Sequence, residues 1–468
     1  MSETTLSERF FTEKDQYFFA NLSGDQNPLH VDAVYARRTQ LGQQIVHGMH
    51  AVIWALETFW EKNPSINISS MSVKFKKPIF LSENVFSFFH SETHTIYVRN
   101  ANTELINIRL EMCDEKFVAR DTPSSITSTS DTPIDRVISS ISRFQNIQAD
   151  NFVDVVELQG KFKNCERVLG LETLRGLINL SSIVGMVLPG LNSIFSGCKI
   201  IFGKHSKEKY LEVTKCDHRF NLCDFTLNET TFVANISTIF RPAVSVARRH
   251  NLASFKKDET LELSDFRILI LGGSRGLGEK LTVAAATHGA EVLFTYNKGL
   301  SEAKVLESEL KSSGCNVSST QFNAYEPEWD VLTSFNPNIV FYMLTPPIFV
   351  KRSRAFEAEL YDNFYFFYCD LMKQMCLQLS SEAMQLVYYP SSVAVETDRS
   401  TNFEYALSKQ FGELHVEVLS KKLGFKHLVE RLPRLQTDQT ASHLNIKSQD
   451  SYEFSLRILR NSIKEIKK

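Results

Sequence analysis

The sequence has no surplus of either charge: 52 lysines and arginines stand against 54 aspartates and glutamates, a formal net charge of -2. Without a basic footprint, nothing steers the chain toward a phosphate backbone, so a nucleic-acid role is not expected. Paired cysteines are missing too. The eight present are scattered, with neither the dense spacing of a disulfide framework nor the CxxC elements of a zinc site, which implies reduced, mostly buried thiols and no metal centre. The N-terminal stretch MSETTLSERFFTEKDQYFF carries acids where a leader would carry a basic region and an apolar core, so a cytoplasmic location is expected. One uncharged run, Gly176 to Cys198, has the length of a membrane span. It contains Asn179, Ser181, Ser182, Asn192 and Ser193, and Pro189-Gly190 interrupts it, so a buried core helix followed by a turn is the expectation and membrane insertion is not.

At 468 residues the chain is too long for one hydrophobic core, and several domains of about 150 residues are expected. Thr122 to Pro133 (TPSSITSTSDTP) reads as a linker. A second polar stretch spans Ala247 to Ser264. They bound domains at 1–121, 134–246 and 265–468. The first shows a helix-like apolar stretch, Ile45 to Trp60, followed by the strand-like runs VKFKKPIFL, HTIYVRN and NIRLEMCD, which predicts a helix against an antiparallel sheet. The second repeats that order, with a helix candidate at Leu174 to Leu188 and then SGCKIIFG, KYLEVTKC, RFNLCDFTL and TTFVANISTIF. The third alternates short apolar strands (FRILILGG, AEVLFTY, NIVFYML, MQLVYYP) with helix-length segments, the pattern of a parallel α/β sheet.

Two constellations carry chemistry. In the first domain, Ser23 to Asp32 read SGDQNPLHVD, followed by Tyr35-Ala36 and by IVHGM at Ile45 to Met49. Asp25 and His30 are a carboxylate and an imidazole in a turn-rich segment, able to share proton transfer on one small substrate. Asn27-Pro28 favours the turn that would bring both into one cleft. Gly48 opens the apolar helix, where a backbone N–H and the helix dipole favour a developing oxyanion. For His47 and His50, packing or helix-terminal roles are the better reading.

This string closely resembles the hydratase 2 signature of the MaoC-like, (R)-specific enoyl-CoA hydratases; Ala33 stands where the signature usually has proline. The resemblance implies that Asp25 and His30 are the catalytic pair, activating a water for addition to a trans-2-enoyl thioester or running the dehydration in reverse. The middle domain has no matching Asp and His. Its IVGMVLPGLNSIFSG resembles the central helix of a second hot-dog unit, as in double-hot-dog hydratases, and is expected to support the site and not to do chemistry. Asp217-His218 sit adjacent in a strand-like run, where neighbours point to opposite faces, so no shared role is expected.

In the third domain, Leu269 to Glu279 read LILGGSRGLGE, a strand, a glycine loop and a helix start; Gly272, Ser274, Arg275, Gly276, Leu277 and Gly278 can cradle a pyrophosphate through backbone N–H groups. The second strand ends Thr295-Tyr296-Asn297-Lys298, without the acid that receives the ribose 2′-hydroxyl of NAD. Arg275 and Lys298 can then pair with a 2′-phosphate, favouring NADP(H) over NAD(H). Further on, Ser392 precedes Tyr405 and Lys409, which stand one helical turn apart, so an ammonium beside the phenol would lower its pKa.

Together these motifs resemble the short-chain dehydrogenases over most of Phe266 to Lys468. The resemblance implies Tyr405 as acid, Lys409 as its electrostatic partner, Ser392 as carbonyl orienter, and RLPRLQTDQT at Arg431 to Thr440 as the segment closing over nicotinamide. Two departures stand out: Tyr342 to Ile348 (YMLTPPI) replaces the usual N-N-A-G, and Asn363 is only the nearest candidate for the relay asparagine. The expected fold is therefore an α+β double hot-dog followed by an α/β Rossmann domain. The expected function is a bifunctional enzyme on acyl-CoA or acyl-carrier-protein thioesters, with a dimer as a family-level expectation. Two alternatives stay open: a reductase half acting on an unrelated carbonyl, and a Rossmann half that only binds cofactor.

Overall fold

The computed structural model describes residues 3–81, 83–100, 103–114, 132–148, 152–203, 209–241, 243, 258–346, 348, 356–397, 402–433, 435 and 449–468. Most of the Thr122 to Pro133 linker, Ala247 to Lys257, and most of Arg431 to Thr440 lie outside them. The chain divides into two compact units, one from Met1–Val244, the other from Ser245–Ala441 and Ile446–Lys468.

The first unit is built on a ten-stranded antiparallel sheet. Its strands are β1 (Glu3–Phe10), β2 (Asn67–Phe75), β3 (Asn84–His90), β4 (Thr95–Asn100), β5 (Thr103–Cys113), β6 (Asn146–Gln148), β7 (Ser193–Phe202), β8 (Tyr210–Asp217), β9 (Leu222–Asn228) and β10 (Phe232–Phe240). The spatial order β1-β3-β4-β5-β2-β7-β10-β9-β8-β6 is two five-strand halves arranged alike, the second running outward in the same sequence as the first. They join where β2 pairs antiparallel with β7, Met71 opposite Ile200 and Val73 opposite Cys198. Gly197 sits at that seam because a Cβ there would stand 2.6 Å from the Val73 carbonyl oxygen.

Each half carries one long buried helix. Gly48–Lys62 is apolar nearly all round, and every residue from Met49 to Leu56 is buried, as expected of a helix wrapped by a sheet instead of lying on its surface. Its counterpart, Leu171–Ser182, runs into a π-helical turn, Ile183–Val187, and then the chain enters β7. The long uncharged run is thus half helix and half strand; among the described residues no helix is long and apolar enough to cross a membrane. Both helices share one apolar core that includes Phe59, Trp60, Leu177 and Ile178. Truncating a buried ring such as Phe59 costs roughly 3–5 kcal/mol. Two polar residues of the run, Ser181 and Ser182, both bond residues of the Ser23–Asp25 turn.

The second unit is a six-stranded, wholly parallel sheet: β11 (Arg267–Leu271), β12 (Glu291–Tyr296), β13 (Val317–Gln321), β14 (Ile339–Tyr342), β15 (Leu386–Ser392) and β16 (Lys426–Leu432). The order β13-β12-β11-β14-β15-β16 reverses direction at β11 and β14, the doubly wound arrangement that opens a crevice at the carboxyl ends of the strands. Central strands read as continuous apolar runs because helices cover both faces; all four residues of β14 are buried. The glycine loop follows β11, and Ser392 ends β15, so the topology itself carries both motifs to the same edge of the sheet.

Candidate active sites

In the first unit the site grows from the end of one helix. Glu13–Ser23 terminates at Gly24, whose φ of 77° is the left-handed cap that glycine tolerates, and the chain turns sharply into Asp25. Asp25 Oδ1 accepts the Asn27 backbone N–H at 3.2 Å. Asn27 in turn caps the short helix Pro28–Val31, its Oδ1 accepting the Leu29 N–H at 3.1 Å, with proline at the first position, where it needs no donor. That helix carries His30, so one asparagine holds both members of the pair. Ala33 follows as the first residue of Ala33–Arg37, capped by Asp32. A cap with no need of proline explains why alanine is accommodated.

One ligand atom each of Asp25, His30 and His47 lies within 4.8 Å of the others, so the turn brings the pair together. His30 Nδ1 stands 2.9 Å from the Ile45 carbonyl oxygen, an acceptor only; Nδ1 therefore carries the proton and the Nε2 lone pair is left to accept one. His47 stacks under His30 with ring centroids 3.9 Å apart. Its two ring nitrogens face Gln16 Oε1 at 3.0 Å and the Asp25 carbonyl oxygen at 3.1 Å. The same three residues have the spacing of a cation site.

Burial sets the electrostatics. It raises Asp25 above the ordinary carboxylate value, opposed by the His30 charge and by hydrogen bonds from Ser181 and Asn27. Burial likewise lowers His30, against the pull of Asp25, and drives His47 well below its ordinary value. Both effects favour neutral imidazoles, and a neutral His30 is the form that can act as a base. His50 is lowered to about 3 by burial, stacks on Phe19, and among the described residues has no partner for either ring nitrogen, a packing histidine as its sequence context suggests.

The second half reaches directly into this site. Ser181 Oγ donates to Asp25 Oδ2 at 2.7 Å. Asn27 Nδ2 donates to the Gly185 carbonyl oxygen at 2.8 Å. Gly185 itself admits no side chain, because its Cβ would stand 2.3 Å from Asp25 Oδ1. Gly48 opens the Gly48–Lys62 helix beside His47, and a Cβ there would meet the Phe75 ring at 2.8 Å. Ser181 and Gly185 were hidden in a stretch whose local pattern speaks only of an apolar helix; Asn27, inside the motif, was legible as a turn former but not as the clamp on both functional groups.

In the second unit, the glycine loop is shaped for close approach. Gly272 and Gly276 take φ of 81° and 59°, and Gly278 packs so tightly against the strand end that a Cβ would lie 2.2 Å from the Gly272 carbonyl oxygen. Gly272 N–H donates to Thr295 Oγ1, and Gly276–Thr287 begins with Arg275 at its cap and Ser274 just before it. Leu277 and Gly278 lie in the first turn. Such a cradle of backbone at a helix N-terminus fits a dinucleotide pyrophosphate. Lys298 is exposed just past β12, and Met343, in the departure from N-N-A-G, brings its carbonyl oxygen near the glycine loop.

Tyr405 and Lys409 lie on Phe403–Leu423, both buried. Ser392 hydrogen-bonds Tyr405, but burial still holds the phenol above its ordinary value, and Lys409 is not among the influences lowering it. The expected lowering of the phenol's pKa is thus outweighed by burial. Lys409 Nζ turns to the Pro390 carbonyl oxygen at 2.6 Å and stands over the Tyr368 ring, 3.9 Å from its centroid. Burial brings its pKa down to about 7. Asn363 accepts from the exposed Tyr325 hydroxyl, and no hydrogen bond ties it to Tyr405 or Lys409 among the described residues. Tyr368, an aromatic with no local signal of function, occupies the ground beside the lysine.

Residues 3–103 match the family model described as a MaoC like domain, so the N-terminal part of the chain carries such a domain. Over 76 residues the chain is 34% identical to an (R)-specific enoyl-CoA hydratase of Rhodospirillum rubrum, an alignment spanning 16% of this chain and 53% of that protein; the chain thus covers about half the length of this curated relative. Solved structures similar to the chain include FolM alternative dihydrofolate reductase 1 from Brucella canis complexed with NADP, at 16% identity and a TM-score of 0.37 over 44% of this chain and 90% of that one. A short-chain dehydrogenase/reductase from Serratia marcescens gives 14% identity and a TM-score of 0.38, over 43% and 91% of the two chains.

Proposed function

We propose that the chain is a bifunctional enzyme of acyl-thioester metabolism, joining an (R)-specific enoyl-thioester hydratase to a nicotinamide-dependent 3-oxoacyl reductase. The observation that carries the proposal is the pair of buried Asp25 and half-buried His30, with His30 held as a neutral base by the Ile45 carbonyl and Asp25 held by Ser181. In hydration, the pair takes a proton from water as the water oxygen bonds to the β-carbon of the enoyl group. A proton is then delivered to the α-carbon, leaving a 3-hydroxyacyl thioester. The Gly48 N–H, at the start of the helix, stabilises the charge gathered on the thioester oxygen meanwhile. The two matching halves of the ten-stranded sheet support a double hot-dog, in which domains 1–121 and 134–246 share one active site.

In the domain 265–468, the glycine loop would hold a dinucleotide, with Arg275 and Lys298 favouring the 2′-phosphate of NADP(H). When bound, that cofactor supplies or takes up the hydride at the 3-carbon. In the reducing direction Tyr405 delivers the proton to the oxygen borne by that carbon, and Ser392 orients it. The two half-reactions meet at the (3R)-hydroxyacyl thioester, on a CoA or acyl-carrier-protein arm. A second reading, a Rossmann half that binds cofactor without turnover, is favoured by one observation: Lys409 bonds the Pro390 carbonyl, and burial takes its pKa down to about 7, so it is only partly charged near neutral pH.

The test follows NADPH oxidation and enoyl absorbance together, with a chain-length series of 3-oxoacyl-CoAs. The wild type should oxidise NADPH and then accumulate enoyl product, Asp25→Asn should stop at the hydroxyacyl stage, and Tyr405→Phe should do neither from the 3-oxo substrate. Nucleotide binding without oxidation of NADPH by any 3-oxoacyl-CoA would favour the second reading.

A further inference from the structure

Arg241 follows the last strand of the second half and lies at the edge of the hydratase site. The residue is 4% exposed. Nη2 donates to the Tyr35 hydroxyl at 2.9 Å and to the Leu191 carbonyl oxygen at 2.5 Å, and the group stacks over the Tyr35 ring. Tyr35 belongs to the short helix after His30, and Leu191 also accepts from Asn27 Nδ2, so the arginine is tied to the scaffold that holds the catalytic pair. It is near enough to His30 for its charge to be felt there. Among the described residues its Nε and Nη1 have no hydrogen-bond partner and no carboxylate pairs with it.

A permanent cation this deeply buried, supported by two neutral acceptors alone, is costly to keep. An anion arriving with the substrate removes that cost. We propose that Arg241 forms an anionic subsite, and that the preferred substrate of the hydratase unit is an enoyl thioester whose acyl group carries a carboxylate. The inference rests on the hydratase reading of the first unit. The phosphates of a CoA carrier are the wrong anion for this position, because they sit at the far end of the pantetheine arm from a thioester placed at Asp25 and His30. The thioester oxygen gains charge only transiently and is served by the Gly48 N–H, whereas an acyl carboxylate balances the guanidinium for as long as the substrate is bound.

The experiment compares kcat/KM for hydration of glutaconyl-CoA, which has a terminal carboxylate, with that for the equally long, uncharged trans-2-pentenoyl-CoA. The wild type should prefer the carboxylated substrate by roughly 10- to 10²-fold, the worth of a charge-assisted hydrogen bond. Arg241→Met should collapse that ratio toward one, and Arg241→Lys, which keeps the charge, should retain part of it. The ratio is the readout, so a general loss of activity from poor folding does not imitate the result. Hydration of both substrates with equal efficiency by the wild type would overturn the subsite while leaving the hydratase reading intact; so would a preference that survives in Arg241→Met. Hydration of neither would instead overturn the hydratase reading beneath it.

Discussion

Replacing Ser181 with alanine removes a side-chain hydrogen bond that the second half gives to the Asp25 carboxylate, a 2.7 Å contact between residues 156 positions apart. A hydrogen bond to a charged group is worth about 1.5–3 kcal/mol in the interior, and the loss falls on the charged form of Asp25 alone. Each 1.4 kcal/mol is tenfold, so at a pH where the wild-type group is ionised and the variant's is still protonated, the variant should hydrate enoyl-CoA roughly 10- to 10²-fold more slowly. Burial already raises the Asp25 pKa, and removing Ser181 raises it further, so the acid limb of the kcat profile must move to higher pH and the lost rate return on the alkaline side. The assay is a pH series of crotonyl-CoA hydration by wild type and Ser181→Ala. A variant that is slower by the same factor at every pH, or not slower at all, refutes the claim that the second half tunes the carboxylate.

Gly185→Ala would place a Cβ 2.3 Å from Asp25 Oδ1, so the carboxylate must shift; hydration should fall by about 10²-fold while the fold, read by circular dichroism, survives. Asp25→Asn should abolish hydration and also stabilise the first unit near neutral pH. There the folded state carries a carboxylate whose charged form burial disfavours, so stability declines as pH rises through the raised pKa, and calorimetric Tm values across pH should show that decline only in the wild type. For Lys409, burial lowers the pKa to about 7, so between there and its ordinary value the folded state holds fewer protons than the unfolded chain, and stability should increase with pH over that window; Lys409→Met should flatten the dependence. Gly278→Ala should push the helix away from the Gly272 carbonyl and weaken NADPH binding measured by fluorescence titration, by at least about tenfold.

The parallel sheet was legible wherever strands are covered on both faces. The runs around β11, β12, β14 and β15 are nearly all apolar and were found, while the edge strands β13 (VSSTQ) and β16 (KHLVERL) are half polar and were not. In the first unit, β1 and β3 went unnamed, and the run VKFKKPIFL was read as one strand although β2 ends at Phe75, before Lys76-Lys77. Asp25 and His30 were legible because their spacing and turn residues are local. Ser181, Gly185 and Arg241 were not, since what gives them meaning is a contact across the two halves. Tyr405 and Lys409 show the limit of spacing arguments: one helical turn places them on one face, but the Pro390 carbonyl and the Tyr368 ring decide where the lysine head points.

The central claim is that Asp25 and His30 add water to an enoyl thioester. It is tested most directly by following trans-2-enoyl-CoA hydration without any nicotinamide nucleotide and determining the configuration of the product. The account predicts (3R)-hydroxyacyl-CoA from the wild type and from Tyr405→Phe, and none from Asp25→Asn or His30→Gln. Undiminished hydration by the Asp25 and His30 variants, or a (3S) product, would contradict it.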